Sequence, residues 1–230
     1  MNEIKKILLP IIVLSLLSSC NSGNSTRPND PSIDSTDSIR PIDTKGNIRI
    51  DSGWTDLRPS ATCTPANSSD LLMTVIPQRA KLWCWAACGE MAMEKMKDTS
   101  IVQCDEVIRQ YPKKGNCCDS SLPENCIVGG WPDFDGYGFN FNTTRNEALS
   151  WEEIKNQIDC QKAPICGTWH YNMGGGHMVV VSGYRTENGI NQVFILNPKG
   201  SGSVRWLPYI KYVSGFSYTH WDDFYNIKKK

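Results

Sequence analysis

Near residue 160 the sequence changes period, and this change constrains the fold more than any other feature. Downstream, residues 164–169, 178–184, 192–196, 203–207 and 221–227 are short runs rich in β-branched and aromatic side chains. Turn residues separate them, at 172–176, at Glu187-Asn188-Gly189 and at 198–202, so each run is expected to be a strand. Upstream the spacing is helical. Trp85, Cys88, Ala92 and Met96 fall on one face of a helix from Cys84 to about Lys97. Residues 103–111 form a second helix candidate, with Cys104, Val107, Ile108 and Tyr111 on one side and Pro112 as the stop. Ser150-Trp151-Glu152-Glu153 is a capping-box pattern that opens a third, to about Asp159. Helices followed by strands predict an α+β fold with two subdomains.

Two stretches are less regular. The apolar run 71–76, ending at Pro77, reads as a short buried strand or an extended lead-in. Residues 113–148 carry no sustained period and are dense in Gly, Pro and Cys.

The N-terminus carries a different signal. Lys5 and Lys6 precede an apolar run, 7–17, that is too short to span a bilayer but has the layout of a secretory signal. It ends in Leu17-Ser18-Ser19-Cys20, which resembles the lipobox of bacterial lipoproteins. That resemblance implies removal of residues 1–19, lipid attachment at Cys20 and a place in the bacterial cell envelope, lipid-anchored in the outer membrane. Residues 20–60 are polar and read as a flexible tether, which leaves 61–230 as the compact domain. Lys+Arg and Asp+Glu balance at 24 each, so nothing in the charge suggests a nucleic-acid surface.

Ten cysteines in 230 residues fit an oxidising compartment or a metal-binding protein. No C-x2-C pair is present, and export favours disulfides over zinc. One cysteine stands apart by position. Cys84 opens the first helix, where backbone N–H groups and the positive dipole end favour a thiolate. Gln78, six residues earlier, can donate a hydrogen bond to an oxyanion forming beside that sulfur. Cys88, one turn further in, lacks those N–H groups.

A cysteine nucleophile needs a base, and the chain offers His170, His177 and His220. His177, between Gly174-Gly175-Gly176 and Met178-Val179-Val180-Val181, is the best placed: it sits at the mouth of a buried strand with small residues before it. Asn197, ending the next strand, would come beside His177 if the two strands pair antiparallel. An Asn-Pro at a strand end is also an ordinary turn, and both roles can coexist.

Gln78…Cys84-Trp85-Ala86-Ala87, then Gly175-Gly176-His177-Met178-Val179-Val180, then Leu196-Asn197-Pro198 resemble the papain-like cysteine peptidases. The likeness is nearest to the bacterial effector-type (avirulence protein) branch, and Gln103-Cys104, Asn116-Cys117-Cys118 and Cys126 resemble a cysteine pattern among relatives of that branch. The resemblance covers about residues 70–227. It implies a two-lobed fold, a helical lobe followed by an antiparallel β-rich lobe, with the active site in the cleft between them. It also implies Cys84 as nucleophile, His177 as base and then acid, Asn197 as orienter and Gln78 as oxyanion donor. One departure is visible: the effector-type branch typically has aspartate where Asn197 stands.

The expected function is therefore peptide-bond hydrolysis on a peptide or protein substrate, without cofactor or metal, by a monomer held to the membrane through its lipid. A catalytically silent peptide- or partner-binding module, or an amidase or acyl transferase with the same residues, are the alternatives. Setting aside Cys20 and Cys84 leaves an even set for disulfides: Cys63, Cys88, Cys104, Cys117, Cys118, Cys126, Cys160 and Cys166. Cys160 and Cys166 flank one short connection and form a candidate pair.

Overall fold

The computed structural model describes residues 63–230. The signal segment, Cys20 and the tether at 20–60 lie outside the described residues.

Among the described residues, seven antiparallel strands form one sheet: β1 (Ser68–Asp70), β2 (Phe139–Thr143), β3 (Ile165–Tyr171), β4 (Gly176–Glu187), β5 (Ile190–Asn197), β6 (Ser203–Pro208) and β7 (Tyr218–Lys229). Their order is β2-β7-β3-β4-β5-β6, with β1 paired to β4 at Ser68↔Arg185. β4 is central, and its alternation divides the core. Met178 and Val180 join Cys166, Leu196 and Phe224 in one buried cluster, while Val179 and Val181 join Ile165, Val193 and Ile195 in another. A strand buried on both faces loses the polar alternation of a half-exposed one, which is why 178–181 is a continuous apolar run.

The first face is covered by α1 (Cys84–Lys95), α2 (Gln103–Gln110) and the cysteine-rich segment that follows. The second is covered by α3 (Trp151–Lys155), its π-helical continuation Asn156–Cys160, and α4 (Tyr209–Val213), through Ile154, Ile158 and Tyr212. The α+β class expected from the sequence is thus present.

Helix α1 differs from the one-sided helix expected. Every residue from Cys84 to Met93 except Glu90 is buried. Its small residues explain this: Ala86, Ala87 and Gly89 let neighbouring chains close in, and the carboxyl of Glu106 lies directly on Gly89. Lys97, at φ 74, takes the left-handed conformation that stops the helix at Lys95. The capping box at α3 is complete: Ser150 N–H donates to Glu153 Oε2 at 2.8 Å, and Glu153 N–H to Ser150 Oγ at 3.3 Å.

Two segments depart from expectation. Residues 71–76 are the extended lead-in rather than a strand; Leu72, at φ 52, breaks any ladder there, and pairing ends at Asp70. Strand β2 lies inside the segment expected to be irregular, and it pairs with β7 from Phe139↔Lys229 to Thr143↔Phe224.

The disulfides correct the expected pairing. Cys63 joins Cys160, Cys104 joins Cys118 and Cys117 joins Cys126. Cys160 and Cys166 are not bonded to each other. Cys160 closes the π turn at the edge where the lead-in passes. Cys166 points from β3 into the first core, where its Sγ donates to the Cys88 carbonyl at 3.6 Å. Cys88 and Cys166, both in the candidate disulfide set, stay as buried thiols together with Cys84. The bridges around 104–126 staple a segment too poor in apolar residues to hold itself, at about 2–4 kcal/mol for a typical bridge.

Candidate active site

Cys84 is the first residue of α1 and is 5% exposed. The first bond of the helix ladder runs from Ala87 N–H to Trp83 O at 2.9 Å, so the N–H groups of the first turn, beginning with Cys84, point out along the axis. No side chain caps this end. The two tryptophans that bracket Cys84 fix its surroundings. Trp83 donates its indole N–H to Cys126 O at 2.8 Å and Trp85 donates to Val128 O at 3.1 Å. The stapled segment is thereby anchored at the helix start, which gives its cysteines a role in the site as well as in the fold.

Gln78 reaches the same place from the lead-in. Its backbone N–H donates to Pro198 O at 2.9 Å, which ties the lead-in to the turn after β5. Its side-chain Nε2 donates to Ala80 O at 2.7 Å, and Ala80 O also accepts from Trp83 N–H at 3.3 Å. One Nε2 hydrogen is therefore used in the turn that leads into α1, and a second is carried by the same nitrogen. Gln78 Oε1 is buried and makes no hydrogen bond among the described residues.

His177 follows Gly176 at the start of β4 and is 6% exposed. Its Nε2 lies 2.8 Å from Asn197 Oδ1. The same Oδ1 accepts from Lys199 N–H at 3.0 Å. A backbone N–H can only donate, so the atom facing it is the amide oxygen and not the nitrogen. His177 must then donate from Nε2, which leaves the lone pair on Nδ1. Asn197 thus serves both the turn and the imidazole. The register supports the contact: β4 and β5 pair with Val180 opposite Leu196, so Asn197 lies diagonally beyond Leu196 toward His177. The Trp169 ring stands 6.3 Å from the His177 ring and limits its movement.

Cys84 belongs to the buried cluster that contains Met178 and Leu196, the immediate neighbours of His177 and Asn197. Helix α1 packs on β4. Gln78, Cys84, His177 and Asn197 therefore belong to segments joined by direct bonds or shared packing.

The other two histidines have different surroundings. His220 is buried with its Nε2 3.0 Å from Asp223 Oδ1 and its Nδ1 3.3 Å from Tyr212 O, so both nitrogens are engaged. Burial pushes its pKa down, but the Asp223 charge and hydrogen bond outweigh that and raise it. Tyr212 O–H also donates to Asp223, whose other oxygen accepts from Leu149 N–H at 2.7 Å. This is a closed structural network. His170 is exposed, with its ring 5.3 Å from that of Trp221. Burial pushes the Cys166 thiol pKa well up, so that sulfur is held protonated, unlike a nucleophile.

Cys104, Asp105 and Cys118 converge as metal ligands would, but the two sulfurs are already spent in a disulfide.

No protein-family model matches the chain, and no curated protein matches its sequence. Solved structures do. One from work on the mite allergens Blo t 1 and Der p 1 superposes with a TM-score of 0.50 at 14% identity, over 90% of this chain and 80% of that one. A proCathepsin B S9 from Trypanosoma congolense has a TM-score of 0.46 at 12% identity, over 71% and 77%. A double glycine motif protease from an AMS/PCAT transporter, solved with the leader peptide, has a TM-score of 0.41 at 18% identity, over 73% and 99%. These neighbours are papain-like cysteine peptidases. The first of them, with the mixed helix and antiparallel sheet described above, gives the fold: α+β and papain-like.

Proposed function

We propose that this chain is a cysteine peptidase that hydrolyses peptide bonds with Cys84 as nucleophile, His177 as base and acid, Asn197 as orienter and Gln78 as oxyanion donor. The observation that carries the reading is the His177–Asn197 hydrogen bond. It is donated from Nε2, so Nδ1 is available to take a proton.

The chemistry follows from the residues. Transfer of the Cys84 proton to His177 Nδ1 gives a thiolate and an imidazolium, each favouring the charged form of the other. The thiolate attacks the substrate carbonyl, a C–S bond forms, and charge moves onto the carbonyl oxygen. The Cys84 N–H and the second Nε2 hydrogen of Gln78 stabilise that oxyanion. His177 then gives its proton to the leaving amine as the C–N bond breaks. Water, deprotonated by His177, attacks the thioester, and release of the acid restores the thiol. The amide of Asn197 orients the imidazolium but adds no charge of its own, which distinguishes this site from one with aspartate in that place.

The domain would act outside the cytoplasm. The signal-like segment, the lipobox-like Cys20 and the polar tether support a lipid-anchored envelope protein, and the three disulfides fit an oxidising compartment. A peptide library incubated with the protein and with its Cys84→Ala variant tests the reading. Cleavage by the former and none by the latter is expected. No cleavage by either, together with retained peptide binding, would favour the silent binding module.

A further inference from the structure

Gln103 is the first residue of α2, is 1% exposed, and sends none of its side-chain bonds to its own helix. Its Oε1 accepts from Arg79 N–H at 2.8 Å and its Nε2 donates to Pro77 O at 3.0 Å. These are the backbone groups on either side of Gln78. The Gln103 amide pairs with them as a neighbouring peptide would, and Gln78 is held between. The second Nε2 hydrogen goes to Glu90 Oε2 at 2.9 Å, on α1. On its far side Gln78 donates its own N–H to Pro198 O. The segment carrying Gln78 is thus clamped from α2 and from the β5 turn, and Glu90 connects the clamp to the helix that begins at Cys84.

A buried amide whose three bonds tie α2 to both the lead-in and α1 is costly to replace. Capping α2 would account for a polar residue here only if its bonds went to α2, and they do not. We propose that Gln103 is a positioning residue for Gln78, fixing the backbone so that the Gln78 amide is presented beside Cys84. This rests on the peptidase reading above. A displacement of about 1 Å in such a group is enough to cost about 100-fold in rate, so the clamp matters to the chemical step more than to substrate binding.

The test is a double-mutant cycle on the full chain, with kcat and KM measured on one peptide substrate. Gln103→Met keeps the bulk and removes the amide. It should lower kcat about tenfold with KM within about twofold, because an oxyanion contact operates in the transition state. In the Gln78→Ala background the same substitution should cost less than about twofold, since its effect passes through Gln78. The rate at which a thiol-directed epoxide labels Cys84 should be the same in Gln103→Met as in the parent protein, and a slower rate would overturn the inference by placing the effect on the thiol rather than on Gln78.

A tenfold loss that persists without the Gln78 side chain would overturn the inference, as would an unchanged kcat. If Gln103→Met does not fold, Glu90→Ala replaces it: a loss of about threefold that disappears in Gln78→Ala is expected, and no loss overturns the inference. Failure of the underlying reading is separately visible: either Cys84→Ala would still cleave, or the parent protein would not cleave at all.

Discussion

His177 donates from Nε2 to the amide oxygen of Asn197 at 2.8 Å, and a backbone N–H at Lys199 fixes which end of that amide faces the ring. The bond decides the tautomer, and the tautomer decides which nitrogen can accept a proton. Asn197→Ala removes this control. The expected outcome is a fall in kcat of about 10- to 100-fold with a small change in KM, at or below the lower end of the roughly 100- to 10,000-fold that a positioned acid–base group contributes, because His177 itself stays in place. Asn197→Asp should keep the orientation and add a charge that stabilises the imidazolium. Its alkaline limb in a pH–rate profile should therefore lie at higher pH than that of the parent protein.

The Cys63–Cys160 bridge anchors the lead-in to the end of the π turn. Around it, Asp159 accepts from Lys162 Nζ at 2.8 Å and from Ala66 N–H at 2.7 Å, and these bonds lower its carboxyl pKa to about 2. Replacing both cysteines with serine should lower stability by about 2–4 kcal/mol, read as a shift in the urea midpoint. Peptide mapping of unreduced protein should recover Cys63 with Cys160. Recovery of Cys160 with Cys166 would mean that β3 is turned over relative to this structure.

Glu106 is fully buried against Gly89. Burial raises its carboxyl pKa well above the usual range, with Glu90 and Asp133 adding to the effect, and neither oxygen makes a well-formed hydrogen bond. A carboxyl whose folded pKa is raised binds its proton more tightly in the folded state. Its contribution is therefore fully present below about pH 4.3, the unfolded value, and is lost as pH rises through the folded one. Stability should decline with rising pH across this window. Glu106→Gln should remove that decline and be the more stable protein at neutral pH, as measured by urea midpoints from pH 5 to 9.

Much of this architecture is legible in local sequence. The strands after residue 160 announce themselves because β-branched runs alternate with obligatory turn residues. Adjacent antiparallel strands then bring Asn197 to the vicinity of His177 without any knowledge of the rest of the fold. The features that were not legible depend on distant partners. β2 has only Phe139 and Phe141 as a signal, and it is a strand because β7 offers an edge. Cys160 lies nearer in sequence to Cys166 than to Cys63, yet residue facing, not separation, chooses the bond. The all-round burial of α1 follows from what α2 and the stapled segment place against its small residues. Gln103 stood out in the sequence only as the neighbour of a cysteine, and its bonds to Pro77 and Arg79 are visible only once α2 is packed.

The central claim is that Cys84, alone among the cysteines, is a nucleophile activated by His177. Labelling the folded protein with a thiol-directed epoxide at neutral pH, followed by mass spectrometry of its peptides, tests this most directly. The expected result is one adduct, on Cys84, with Cys88 and Cys166 unmodified and labelling at least tenfold slower in His177→Ala, about the scale on which an adjacent base activates a thiol. An unlabelled Cys84, a Cys84 recovered in a disulfide, or a rate indifferent to His177 would contradict it.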